Sequence, residues 1–144
     1  MEVIKTKLRG AVICETKFDS ELNQITCVWN GYASPDAVKE WGESYLALMK
    51  KHHCPYLLND DRNSSGPWTK SIEWIENYLV PNLMKEGLQY YAHIVSQNIF
   101  ASLSANELEN KLSDTLTMKT FLTVEKGDEW LSEMRKQTYA NNPK

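Results

Sequence analysis

The sequence has no long apolar run, no run of like charge, no internal repeat and no low-complexity segment, and each absence removes a class of protein. Nothing approaches the roughly 18–20 apolar residues of a membrane span. The opening Met1-Glu2-Val3-Ile4-Lys5 holds no signal-peptide core. A cytoplasmic protein is therefore expected, neither secreted nor integral to a membrane. Cys14, Cys27 and Cys54 are odd in number and widely spaced, without CxxC or a Cys/His ligand pattern, so reduced and partly buried thiols are expected. His52 and His53 are consecutive and His93 stands alone, so the i, i+4 spacing of a zinc helix is missing. The expectation is no metal and no cofactor. Sixteen basic against 19 acidic residues leave a net charge of −3. No basic cluster supplies the counterion release that drives nucleic-acid binding, so no nucleic-acid partner is expected.

What is present is an ordinary core-forming composition, 42% hydrophobic and 24% charged over 144 residues. A chain of this length buries roughly 68–70% of its unfolded surface and is stable without staples. One domain over 1–144 is expected, with its core between about 10 and 136 and a frayed tail over 139–144.

Two extended segments come first, over 10–18 and 24–31, with Ile25, Cys27 and Trp29 alternating against Thr26, Val28 and Asn30. Ser34-Pro35-Asp36 is a helix start: Ser suits the N-cap, Pro the first helical position and Asp the positive end of the dipole. Val38, Trp41, Tyr45, Leu48, Met49 and His52 recur at helical spacing behind it. Gly42, costly inside a helix, is expected to mark a close approach to another backbone. Pro55-Tyr56-Leu57-Leu58 reads as a short interior strand feeding a loop, Asp60 to Gly66. A second helix opens at Pro67 and carries the stripe Trp68, Ile72, Ile75, Leu79 and Leu83, with Pro81 expected to kink or shorten it before Gly87. A strand follows over 89–96. Ser104-Ala105-Asn106-Glu107 then reads as a capping box, stapled by Leu103 and Leu108. A strand over 117–122 and a helix from 124, with Val124, Gly127, Leu131 and Met134 on one face beside Trp130, complete the order. The order β-β-α-β-α-β-α-β-α predicts an α/β fold: a mixed, mostly parallel sheet with right-handed crossover helices behind an antiparallel pair.

Several short motifs recur in order along this frame: Trp29-Asn30-Gly31-Tyr32, Pro55-Tyr56-Leu57-Leu58-Asn59-Asp60 with Arg62, and Gly66-Pro67-Trp68. Gly87-Leu88-Gln89-Tyr90 with Ala92, Phe100 before Leu103-Ser104-Ala105, and Glu129-Trp130-Leu131 follow. In this order and spacing the chain resembles the SpoIIAA-like, or STAS/SEC14-type, small bacterial proteins. The resemblance implies a βα-superhelical STAS-like fold and does not imply an enzyme. It implies either phosphorylation-controlled partner binding, as in anti-sigma-factor antagonists, or carriage of a lipid or other apolar ligand. Gly127 departs from it, standing where Ala is expected.

Candidate site residues concentrate after the strand at 55–58. Ligands in open α/β sheets gather beyond the carboxyl ends of strands. Asn63-Ser64-Ser65-Gly66 is similar to the Asp-Ser-Ser-Gly segment of the antagonists, which makes Ser64 the matching phosphorylation position, although Asn63 replaces the acid and Pro67-Trp68 is bulkier than expected. The plain alternative is that Ser and Gly cap a helix. Asp60 and Asp61 with Arg62 admit a metal or phosphoryl site; adjacent residues on an extended chain point apart, so an ion pair bracing the loop is the simpler reading. Cys54 beside His53 runs into Pro55 and is not read as catalytic. The abundant aromatics admit a plain core, an interface or an apolar pocket bordered by Trp29, Trp68 and Trp74. The leading expectation is a non-catalytic partner-binding module, a homodimer, using Trp29, Tyr32, Asp60, Arg62, Trp68 and Trp74. The alternative is a carrier of a small apolar or lipid-like ligand. A hydrolase using Asp60, Asp61 or Ser64 comes third and requires a convergent carboxylate–Ser or carboxylate–His geometry.

Overall fold

Three strands, not two, open the chain. The computed structural model describes residues 2–141. In it β1 (Glu2–Leu8), β2 (Ala11–Asp19) and β3 (Gln24–Tyr32) form an antiparallel meander. Arg9 and Gly10, at φ 52° and 84°, make the two-residue turn whose positive φ values match the twist of a tight hairpin. At the next turn the Asp19 carboxylate accepts the main-chain N–H of Glu21 and Leu22 at 2.9 and 3.2 Å. The first strand hides in the sequence because its inward row, Glu2, Ile4, Thr6 and Leu8, mixes polar with apolar residues and only Thr6 is fully buried.

From β3 onward the strands run parallel. They are β4 (Tyr56–Ser65), β5 (Tyr90–Ile94) and β6 (Thr117–Phe121), in the spatial order β1-β2-β3-β4-β5-β6. Strands in sequential order joined by crossovers of one hand place the connecting helices on one face. Those helices are α1 (Pro35–His52), the composite α2 over 69–85, and α3 (Ile99–Leu112). The last helix, α4 (Val124–Asn141), covers the opposite face over β4 and β5, where Leu131 packs on Tyr56, Leu58, Ala92 and Ile94 with Val124, Trp130 and Met134 around it. The domain is thus α/β, with a six-stranded mixed sheet and four helices. α4 runs through Asn141, and the rest of the expected tail, 142–144, lies outside the described residues.

Three local expectations need correction. Strand β4 does not stop at Leu58: it continues through Ser65, so 60–65 is strand and not loop, because it pairs with β3 as far as Tyr32 opposite Ser65. The capping box is not used. Helix α3 begins at Ile99, where Asn98 Oδ1 accepts the Ala101 N–H at 3.0 Å, leaving Ser104 in mid-helix and Leu103 exposed. At Pro81 the helix is irregular: a π turn over Ile75–Leu79 precedes it, and the helix resumes over Val80–Lys85 and stops before Gly87. Widening the turn accommodates a residue that has no N–H to offer. Finally, Gly42 meets a side chain and not a backbone: a Cβ there would lie 2.6 Å from the Trp74 ring. Ser34 does cap α1, its Oγ accepting the Ala37 N–H at 3.2 Å.

Candidate functional site

Alternation along β4 sends Leu57, Asn59 and Asp61 toward the helices and Leu58 and Asp60 toward the other face. Two polar residues therefore enter the main core from a central strand. A bulge follows: Val28 pairs with Asp60 and Asn30 with Asn63, so Asp61 and Arg62 together oppose Trp29. The bulge lets Arg62 fold back on Asp60, donating from Nε to Oδ1 at 2.9 Å and from Nη2 to Oδ2 at 2.8 Å. Asp60 and Asp61 thus do different things on opposite faces of one sheet.

Asp61 sits within a buried polar row. The Asn59 amide donates from Nδ2 to the Tyr91 hydroxyl at 3.2 Å, and that hydroxyl lies 2.7 Å from His93 Nδ1. His93 Nε2 is 3.5 Å from Asp61 Oδ2. With Tyr91 donating to Nδ1, the proton on the neutral ring falls on Nε2, facing the carboxylate. Burial lowers His93 to about 4, so the imidazole is neutral at ordinary pH. Burial, offset in part by the nearby Ser64 hydroxyl and reinforced by the Asp60 charge, pushes Asp61 up to about 7. A carboxyl that titrates near neutrality can hold or release a proton under physiological conditions.

Over this row lies a cavity in which the centre of a water molecule has about 40 Å³ to move. That is room for about two or three waters. Its walls are almost wholly apolar and aromatic: Trp29 from β3, Trp41 and Tyr45 from α1, Trp68 before α2, and Tyr91 from β5. The π turn contributes Ile75 and Leu79. Trp29 and Trp41 meet edge to face at 5.5 Å, and the Trp41 indole N–H donates to Cys27 Sγ at 3.2 Å. Trp68 is fixed through its main chain, whose N–H donates to Ser104 Oγ at 3.0 Å, while that hydroxyl donates to Phe100 O at 3.1 Å. Here lies the reason for Ser104 in mid-helix. Among the described residues, four that line the cavity carry a buried polar atom without a partner: Tyr45 OH, Asn59 Oδ1, Asp61 Oδ1 and Trp68 Nε1. Buried polar groups are almost always paired, so four together mark a place that a bound molecule can complete.

Of the residues singled out in the sequence, Trp29 and Trp68 come together here with Asp61. Tyr32 does not: it is exposed at the end of β3. Asp60 and Arg62 pair on the other face, and Trp74 stacks on Tyr78 at 5.3 Å beside an outer groove shared with Pro35 and Lys39. Ser64 is buried, and its hydroxyl donates to the Asp61 carbonyl at 2.9 Å, so it is not presented to solvent as it stands. Asn59, Tyr91 and His93 belong to the site without having been singled out; the parity of β4 and β5 is the signal that locates them. The three thiols are free and buried, with Cys54 pushed up to about 12 and Cys14 higher by burial, which leaves both protonated and unreactive. Among the described residues no group of three or more His, Cys, Asp or Glu is placed to hold a metal ion, and no helix is long and apolar enough to cross a membrane. Comparison with protein-family models, curated proteins and solved structures gives no match, so the reading of this site rests on its own geometry.

Proposed function

We propose that this domain is a non-catalytic module that binds a small molecule in the cavity between the parallel strands and helices α1 and α2. One observation carries the reading: four unpartnered buried polar atoms belong to residues that line an otherwise apolar, aromatic cavity. The resemblance to SpoIIAA-like proteins, with SEC14-type carriers among the related domains, points the same way. The carboxylate–His pair that a hydrolase requires is present in Asp61 and His93, but Ser64 is committed to a main-chain carbonyl and offers that pair no nucleophile. The test is a titration of the ¹⁵N-labelled protein with ethanol and acetamide, read at the indole N–H signals. Binding shifts Trp68 and Trp29 and leaves Trp130, which belongs to α4 on the other face of the sheet, unmoved. Indole signals of Trp29 and Trp68 that stay fixed for every small molecule tried would count against the cavity.

A second reading, a surface for a second copy of the chain, is favoured by one feature. Ile99, Phe100 and Leu103, at 66%, 56% and 56% exposure, put three large apolar side chains on the first turns of α3. Gly66, next to the Ser65 that pairs with exposed Tyr32, lies against Ala101 of the same turns. Sedimentation analysis decides: a dimer that Phe100→Ser with Leu103→Ser dissociates supports it, and a monomer at all concentrations overturns it.

A further inference from the structure

We propose that the ligand of this cavity is a small organic ammonium ion, held between the Asp61 carboxylate and the faces of the surrounding indole and phenol rings. The inference rests on the reading of the cavity as a ligand site and adds the chemistry of the occupant. It starts from an imbalance of charge. Asp61 is 4% exposed and its Oδ1 has no partner. The cation next to it in sequence, Arg62, is committed to Asp60. Among the described residues the one base within 4 Å of Asp61 is His93, a neutral ring whose Nε2 lies 3.5 Å from the other carboxylate oxygen. A buried carboxylate without a cation is among the costliest arrangements in a protein core.

The neighbouring open group has the same polarity. Asn59 is 5% exposed; its amide nitrogen is spent on Tyr91, so the oxygen left over is an acceptor. Asn59 and Asp61 both line the cavity from β4 and each keeps one unpaired acceptor, one of them anionic, which suits a donor-rich cation and repels an anion. The walls agree with this. Tryptophan and tyrosine rings attract a cation through their faces, most strongly where water is excluded. A cavity of about 40 Å³ limits the occupant to a few non-hydrogen atoms. Trp68 Nε1–H, a donor, is left unserved by a simple alkylammonium, and a hydroxyl on the ligand would meet it.

The charge requirement gives the test. The groups facing Asp61 from the packed elements are His93 and Tyr91 on β5, Cys14 on β2, Cys27 on β3, Tyr45 on α1 and, along its own strand, Asp60 paired with Arg62. An alkylammonium stays charged between pH 6 and 8, as a lysine does. With Asp61 titrating at about 7, its ionised fraction falls from about nine-tenths at pH 8 to about one-tenth at pH 6, so affinity falls about tenfold. Methylammonium chloride is titrated against the ¹⁵N-labelled protein at both pH values, with potassium chloride holding ionic strength, and acetamide as the neutral comparison. Expected are shifts at the Trp29 and Trp68 indoles, a Kd about tenfold weaker at pH 6, and loss of binding in Asp61→Asn. The wild-type pH dependence decides the matter even if a variant does not fold. Acetamide binding without methylammonium binding, or methylammonium binding that ignores pH, overturns the ammonium inference and leaves the ligand cavity standing. If neither probe moves the indoles, both fall.

Discussion

Replacing Asp61 by Asn should stabilise the protein, and the gain should grow with pH. Burial raises this carboxyl from its ordinary 3.8 to about 7. Below 3.8 the native and unfolded chains both carry the proton, and the group contributes nothing. Between the two values the unfolded chain has released a proton that the native state still holds. Stability therefore falls as pH rises through this window and levels off above about 7. About three pK units at 1.36 kcal/mol each make the penalty about 4 kcal/mol at pH 8, reduced by whatever water in the cavity solvates the charge. Asparagine matches the shape and has no charge to bury. The assay is urea unfolding of both proteins at pH 4, 6 and 8. The gap should be smallest at pH 4 and reach several kcal/mol at pH 8, which for a chain of this size is a rise in Tm of about 10 °C. An asparagine variant less stable than wild type at pH 8, or a gap that does not change with pH, would refute the reasoning.

Other substitutions test the supports of the site. Ser104→Ala leaves the buried Trp68 main-chain N–H without its acceptor and should cost about 1–3 kcal/mol in urea unfolding, whereas a capping role at a helix start would lower helicity without moving the Trp68 signal. Gly127→Ala gains about 1 kcal/mol of helix propensity. It also puts a Cβ 2.7 Å from the fully buried Ile94 Cδ1, so the single variant should be neutral to about 2 kcal/mol destabilised, and adding Ile94→Val should recover the loss. Arg62→Ala removes both side-chain bonds to the buried Asp60 and should cost about 1–3 kcal/mol; calorimetry showing an unchanged Tm would mean that Asp60 is solvated after all.

The helices were largely legible in the sequence, and the polar strand was not. Ser34-Pro35-Asp36 announced α1, and the face Val124, Gly127, Leu131 and Met134 announced how α4 would pack, because caps and helical period are local signals. Gly127 even explained itself once Ile94 was seen beneath it. Strand β4 failed as a reading because Asn59-Asp60-Asp61-Arg62-Asn63 has the composition of a turn, while its place between β3 and β5 is decided by pairing along both edges. Ser104 failed for a related reason: a Ser–x–x–Glu spacing is a local pattern, whereas this Ser is used by Trp68 from another element. His93 looked idle on its own. Its meaning depends on Asp61 and Tyr91, and only the parallel register of β4 and β5 brings Asn59 opposite it.

That failure is informative about function. A central strand flanked on both sides by other strands would be most stable with Val, Leu or Ile at its inward positions, as Leu57 shows at the start of the same row. Asn59 and Asp61 replace that choice with groups the fold satisfies only in part, and a partly satisfied polar network is worse for stability than an apolar core. The supporting parts are nevertheless fully engaged. Tyr91 is bonded on both sides, Arg62 is drawn to the other face where it cannot neutralise Asp61, and Ser104 holds the backbone that positions Trp68. A core merely tolerating a stray carboxylate would be expected to relax around it, by turning the available arginine inward or letting water reach it. Holding the charge unpaired inside a ring of aromatic faces is a cost that a cationic occupant would remove, which is why the same substitution that stabilises the free protein is expected to abolish its binding.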